Sequence, residues 1–102
     1  KSSRPDHFDR AVLMPTCHCI VKGRVQGVGF RYFTFTTARK LGIKGWVKNL
    51  DNGDVEIHAE GDEVIMKEFL AQVYSGPSFA SVVDVEVREI GSEPYREFTV
   101  KR

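Results

Sequence analysis

The chain has 102 residues, 41% hydrophobic and 28% charged, which is ordinary globular usage: enough for one domain with one core, and too apolar for wholesale disorder. Two cysteines are too few for a disulfide-stapled secreted scaffold, and no apolar run exceeds four residues, which excludes a membrane-spanning helix and a signal-peptide core. A small, soluble, intracellular protein is expected. The net charge of +1 hides an asymmetry, because residues 1–50 carry ten Lys/Arg against two Asp and residues 51–102 five Lys/Arg against twelve Asp/Glu. A basic first half can attract anions, unless the halves interleave in the fold and neutralise each other.

Residues 1–16 read as an N-terminal tail, partly disordered or extraneous to the domain, with Val12 to Met14 able to lie along a sheet edge; residues 17–102 read as the domain. From Cys17 the pattern sharpens. Cys17, Cys19 and Val21 alternate with His18, Ile20 and Lys22, which predicts a strand ending at Gly23. Gly23 to Gly29 holds three glycines and is a loop. Phe30 to Leu41 then reads as a helix, with Phe30, Phe33, Thr34, Thr37, Ala38 and Leu41 on one face and Gly42 at C′. Ile43 to Leu50 and Asp54 to Gly61 follow as strands, joined by Asp51-Asn52-Gly53, where Asn-Gly is expected to supply the positive φ angles of a hairpin. A second helix is expected over 62–74, because Met66, Phe69, Leu70 and Val73 fall at i, i+3, i+4 and i+7, and Gly76-Pro77 stops it. Val83, Val85 and Val87 alternate with Asp84, Glu86 and Arg88 as a fourth strand; Phe98 and Val100 make a short fifth.

The order is β-α-β-β-α-β plus one C-terminal strand. Each strand alternates, so one sheet face is buried and both helices must cover it. That describes an α+β, ferredoxin-like sandwich with an antiparallel sheet.

One segment stands out for chemistry: Gly23-Arg24-Val25-Gln26-Gly27-Val28-Gly29-Phe30-Arg31 leaves a strand, crosses a glycine-rich loop and enters a helix. Amides at a helix N-terminus lack intrahelical partners and sit at the positive end of the dipole. Glycines let the main chain close on an anion, and Arg31 in the first turn can fork onto two phosphate oxygens. On spacing alone, Arg31 reads equally as an ordinary solvent-facing helix residue. No Lys-Ser/Thr follows the last glycine, so this is not a nucleotide-binding P-loop.

The same run at 23–31 resembles the signature of the acylphosphatase family. Gly45-Trp46-Val47-Lys48-Asn49, Asp51-Asn52-Gly53 with Val55-Glu56, and Ser75-Gly76-Pro77 resemble its further blocks, in order and spacing, over Cys17 to Arg102. The resemblance implies a ferredoxin-like fold and metal-independent hydrolysis of the carboxyl–phosphate bond of acyl phosphates. It implies catalytic roles for Arg31, which binds phosphate, and Asn49, which orients water, with Gln26, Gly27, Val28, Gly29 and Phe30 supplying a cradle of amides. A small-molecule acyl phosphate is the expected substrate, and phosphate or sulfate is expected to be able to occupy the loop. No cofactor, metal, nucleic acid or membrane partner is expected, and the protein is read as a cytoplasmic monomer. The C-terminal Lys101-Arg102, where many members end in an aromatic residue, departs from the family and is read as affecting terminal packing and not the site. Read without the resemblance, Asn49 is a turn-capping residue.

Rival readings are weighed against the same residues. RNA-binding domains of this topology stack bases on aromatics of central strands, but here the outward set is His18, Ile20, Lys22, Asp54, Glu56, His58 and Glu60. Cys17 and Cys19 point to the helix-covered face and His18 and His58 to the other, so the four cannot make one metal site; buried thiols are expected. Trp46 and the phenylalanines read as core or sheet surface. Tyr32 reads as half-exposed, with a pocket role as the lesser option. Lys22, Arg24, Lys44 and Lys48 can raise the potential near the loop but are expected to be solvated. A similar motif opens large carbamoyl-transfer proteins of hydrogenase maturation; a chain of this length favours a free-standing enzyme.

Overall fold

The computed structural model describes residues 15–91 and 95–102, so the readings of residues 1–14 lie outside it. The elements run β1 (Thr16–Arg24), α1 (Phe30–Leu41), β2 (Lys44–Asn49), β3 (Val55–Glu60), α2 (Glu63–Ser75), β4 (Ser81–Ile90) and β5 (Phe98–Lys101). The strands form one sheet in the order β4-β1-β3-β2-β5. Both neighbours of β1 and the β2–β3 pair are antiparallel, while β5 joins the free edge of β2 in parallel, so the complete sheet is mixed.

Period-two alternation sets the layers. Cys17, Cys19, Val21, Val47, Val55, Ile57 and Ala59 are buried and pack in one cluster with Phe30 and Ala38 of α1 and Met66, Phe69 and Val73 of α2. Both helices therefore cover the same face. Phe69 meets Phe98 edge to face with centroids 6.3 Å apart, which ties β5 to α2. Removing a ring at such a fully buried position typically costs about 3–5 kcal/mol.

Helix boundaries follow local chemistry. Gly42 closes α1 with its N–H turned to Ala38 O and Arg39 O. Asp62 caps α2 by accepting from the amides of Val64 at 2.9 Å and Ile65 at 3.2 Å. Thr34, inside α1 and fully buried, donates to Phe30 O at 2.9 Å and so leaves no unsatisfied hydroxyl.

Two local expectations change. The β2–β3 connection has positive φ only at Gly53 (98°), not at Asn52. Leu50 N bonds Asp54 O at 2.9 Å and Gly53 N bonds Leu50 O at 3.2 Å, so the loop is three residues long and only its last residue needs the left-handed region. In β4 the three valines do not share a buried face. The register of β1 and β4 shifts between Lys22 and Gly23, and beyond the shift Val82 packs on the core while Val83 is 75% exposed. One extra residue reverses the facing of everything after it. Val85 is buried, whereas Val87 remains 43% exposed on this edge strand.

Candidate active site

The loop after β1 is pinned at both ends by apolar side chains, Val25 and Phe30, each 1% exposed. Between them Gly27 (φ 75°) and Gly29 (φ 79°) are left-handed, and a Cβ at either would meet nothing within 4 Å. Conformation, not crowding, demands glycine there. Gly29 is the N-cap of α1, no side chain caps the helix, and its first turn holds no acidic residue. The first ladder bond runs from Phe33 N to Gly29 O at 3.0 Å, so the amides before Phe33 have no acceptor within the helix. The result is a bare, positively polarised helix end.

Gln26 joins this loop to the β2–β3 hairpin. Its side-chain amide donates to Leu50 O at 2.7 Å and to Asp54 O at 2.8 Å. Those carbonyls flank the turn that follows Asn49, so one side chain fixes the position of the loop relative to the end of β2.

Loop, helix end and β2 meet in a cleft of about 420 Å³ whose wall includes Gly27, Gly29, Phe30, Arg31 and Asn49. Gln26 and Val28 are not in that wall: Gln26 serves the hairpin, and Val28 packs on the core. Arg31 Nη1 donates to Lys101 O at 3.1 Å, which orients the guanidinium from the C-terminal strand. Asn49 ends β2 opposite Val55. Among the described residues its side chain makes no hydrogen bond, and the turn is capped instead by Asn52 Oδ1, which accepts from Asp54 N at 3.0 Å. The capping role read for Asn49 without the family resemblance thus belongs to Asn52.

Four wall residues, Val25, Tyr32, Val100 and Arg102, were not assigned to the site from sequence. Tyr32 is 69% exposed yet lines the cleft, and Val100 and Arg102 reach it from the C-terminal end. The expectation that the departing C-terminus leaves the site residues untouched is corrected by the Arg31–Lys101 bond. Nothing in the local pattern signals that contact, because the parallel pairing of β5 with β2 joins residues about half the chain apart.

Among the described residues of the wall the charged side chains are one-signed: Arg31 and Arg102 are present, and no side-chain carboxylate, imidazole or thiol is. Lys22, by contrast, lies near Asp54 at 3.6 Å and Glu86 at 3.9 Å, so its charge is already compensated. The free cysteines are buried as expected. Burial, and secondarily Cys17, pushes the Cys19 thiol up to about 12; burial, then Glu89, raises that of Cys17. Neither thiol is in the state that attacks or ligates.

Comparison with known proteins places this chain beside one family. A family model described as Acylphosphatase matches residues 17–100. Similar curated proteins include an acylphosphatase of Thermotoga maritima, 54% identical over 81 residues that cover 79% of this chain and 90% of the relative. An acylphosphatase of Archaeoglobus fulgidus is 55% identical over 80 residues, covering 78% and 90%. Among solved structures, the acylphosphatase from Bacillus subtilis matches with a TM-score of 0.85 at 44% identity, covering 87% of this chain and 100% of that one. Full-length HypF in its phosphate- and nucleotide-bound form matches with a TM-score of 0.78 at 29% identity, covering 87% of this chain and 12% of HypF.

Proposed function

This chain belongs to the acylphosphatase family and is a hydrolase of acyl phosphates, and from that premise we propose how its residues divide the work. The phosphoryl group sits at the N-terminus of α1, where main-chain amides of the 26–31 loop and the Arg31 guanidinium neutralise its oxygens. Asn49 holds a water in line with the scissile bond through its side-chain amide. The water oxygen bonds to phosphorus as the phosphorus–acyl oxygen bond breaks, the carboxylate leaves, and the water's proton stays on the phosphate or passes to solvent.

This division of labour fits what the reaction requires. The conjugate acid of a carboxylate has a pKa of about 4, so the leaving group departs without a proton donor. Charge neutralisation and alignment then supply the catalysis. The observation that carries the reading is that Arg31, the uncapped helix end and Asn49 share one cleft wall, with the Asn49 amide not consumed by the turn. The reading includes hydrolysis without a metal, a loop that takes phosphate or sulfate, and a monomer acting in the cytoplasm. Among the described residues no helix is long and apolar enough to cross a membrane.

The test is release of inorganic phosphate from acetyl phosphate and from an alkyl phosphate monoester, each with and without chelator. Fast turnover of the acyl phosphate alone, indifferent to chelator, is expected. Comparable rates on both substrates, or loss of activity on chelation, contradict the acid-free, metal-free mechanism. Carbamoyl phosphate is a useful third substrate, because the motif at 23–31 also resembles the opening of large carbamoyl-transfer proteins.

A further inference from the structure

The sheet face turned away from the helices carries a second group of side chains that the cleft does not use. His18 on β1 and His58 on β3 are register partners, and Glu56 lies diagonal to His18, two residues before His58 on the same face. His18 Nε2 is 2.7 Å from Glu56 Oε2, and the two imidazole rings meet edge to face with centroids 5.0 Å apart. One ligand atom from each of the three residues lies within 4.8 Å of the other two. We propose that His18, Glu56 and His58 form a binding site for a borderline divalent transition metal, of the zinc or copper class, on the open face of the sheet.

The donor set argues for that class. Two imidazoles and one carboxylate suit zinc, copper or nickel and are poor ligands for calcium or magnesium, which take oxygen alone. Tetrahedral coordination at about 2.0–2.2 Å puts ligand atoms about 3.4 Å apart, so modest side-chain rotation on two rigid strands closes the group around an ion. The site is sheltered without being sealed: the side chains of His18 and Glu56 are 18% and 21% exposed.

The surroundings also match what a ligating histidine needs. His58 Nδ1 and the Tyr95 hydroxyl are 2.8 Å apart, an outer hydrogen bond of the kind that orients a metal-bound imidazole. Trp46 stacks on the His58 ring with centroids 4.2 Å apart and planes 17° from parallel, which fixes the plane of that ring. Trp46 comes from β2 and Tyr95 from the segment before β5, while a bound ion would tie β1 to β3 on the face that no helix among the described residues covers. The cleft is formed at the N-terminus of α1, and the proposal is independent of the hydrolytic reading.

Trp46 is the only tryptophan, so its stack on His58 is a built-in reporter. The experiment uses the full chain without an affinity tag, stripped with chelator and titrated with Cu²⁺ and then with Zn²⁺. One equivalent of Cu²⁺ is expected to quench Trp46 fluorescence, and Zn²⁺ to protect against that quenching and to raise the melting temperature. His18→Gln and Glu56→Gln leave the stack in place and should each weaken binding at least about tenfold, by comparison with the 10–100-fold cost of losing even an outer-shell partner. His7→Gln should bind as the parent does, and acyl phosphate hydrolysis should be the same in the His18 and Glu56 variants and with one equivalent of Zn²⁺. Absence of saturable binding, quenching that survives both the His18 and the Glu56 change, or quenching abolished by His7→Gln overturns the proposal. Unchanged hydrolysis by each variant certifies its fold, so failure of the metal site is distinguishable from failure of the enzyme.

Discussion

At the N-terminus of α1 the groups proposed to meet the substrate are main-chain amides and one arginine, held by Gly27, Gly29 and the buried ring of Phe30, all within a few residues of one another. On the open face of the sheet the chemistry-bearing groups are side chains from β1, β2 and β3, and they touch only because the strand register brings them opposite. The first arrangement is local and backbone-based, so a short contiguous motif can encode it. The second is long-range, so each of its residues looks ordinary in the sequence. The contrast also separates roles: altering the loop should change chemistry with little effect on the sheet, and altering the open face should do the reverse.

Arg31→Ala gives the largest expected effect: no measurable turnover and lost phosphate affinity, with an unchanged fold. Arg31→Lys should rescue poorly, because an ammonium is a point charge without a planar fork. Kinetics with phosphate inhibition, alongside circular dichroism, check both; near-normal rates in the Lys variant would remove Arg31 from its assigned place.

Gln26→Ala tests whether the loop is as self-contained as its sequence suggests. The change strips one of the two hydrogen bonds that Leu50 O and Asp54 O each accept, leaving Gly53 N and Leu50 N as their remaining donors, and the net loss is typically about 0.5–1.5 kcal/mol per bond. Because the same bonds hold the hairpin that presents Asn49, kcat should fall as well as the urea midpoint. A purely local loop would lose neither.

The smallest effect is on pH dependence and comes from the buried face of β1. The folded chain keeps the Cys19 proton up to about 12, against an ordinary value of 9.0, because burial penalises the thiolate. The folded pKa is raised, so this stabilisation is complete below 9.0 and is lost as pH climbs from there towards about 12, while the unfolded chain ionises. Urea midpoints should decline over that range, less steeply in Cys19→Ala.

How much was legible in the sequence follows the same division. Phe30–Leu41 was read to the residue because Gly29 and Gly42 bracket a clear apolar face. Arg31 and Asn49, which the structure places in one cleft wall, were readable as candidates from the motif blocks. The β4 facing was not, since the shift opposite Gly23 is a property of the pair of strands and leaves no mark on Val83 itself. The three-residue connection was read correctly, but the Asn52 conformation was misjudged, because Asn-Gly fits a two-residue turn with two positive φ angles whereas this loop needs one only at Gly53. Tyr32, Val100 and Arg102 enter the cleft through an edge pairing that no local periodicity announces. His18, Glu56 and His58 were each placed on the outward face, but their meeting depends on the β1–β3 register.

The central claim is that Asn49 works on the substrate and not on its own turn, and one sample of Asn49→Ala tests it. Phosphate inhibition, melting temperature and kcat per folded molecule are measured together. The account predicts that kcat falls by about 10²–10³, by analogy with the loss of one oxyanion-hole donor, while inhibition and melting temperature hold. A lowered melting temperature with kcat per folded molecule intact would return Asn49 to the role of a structural turn residue and contradict the account.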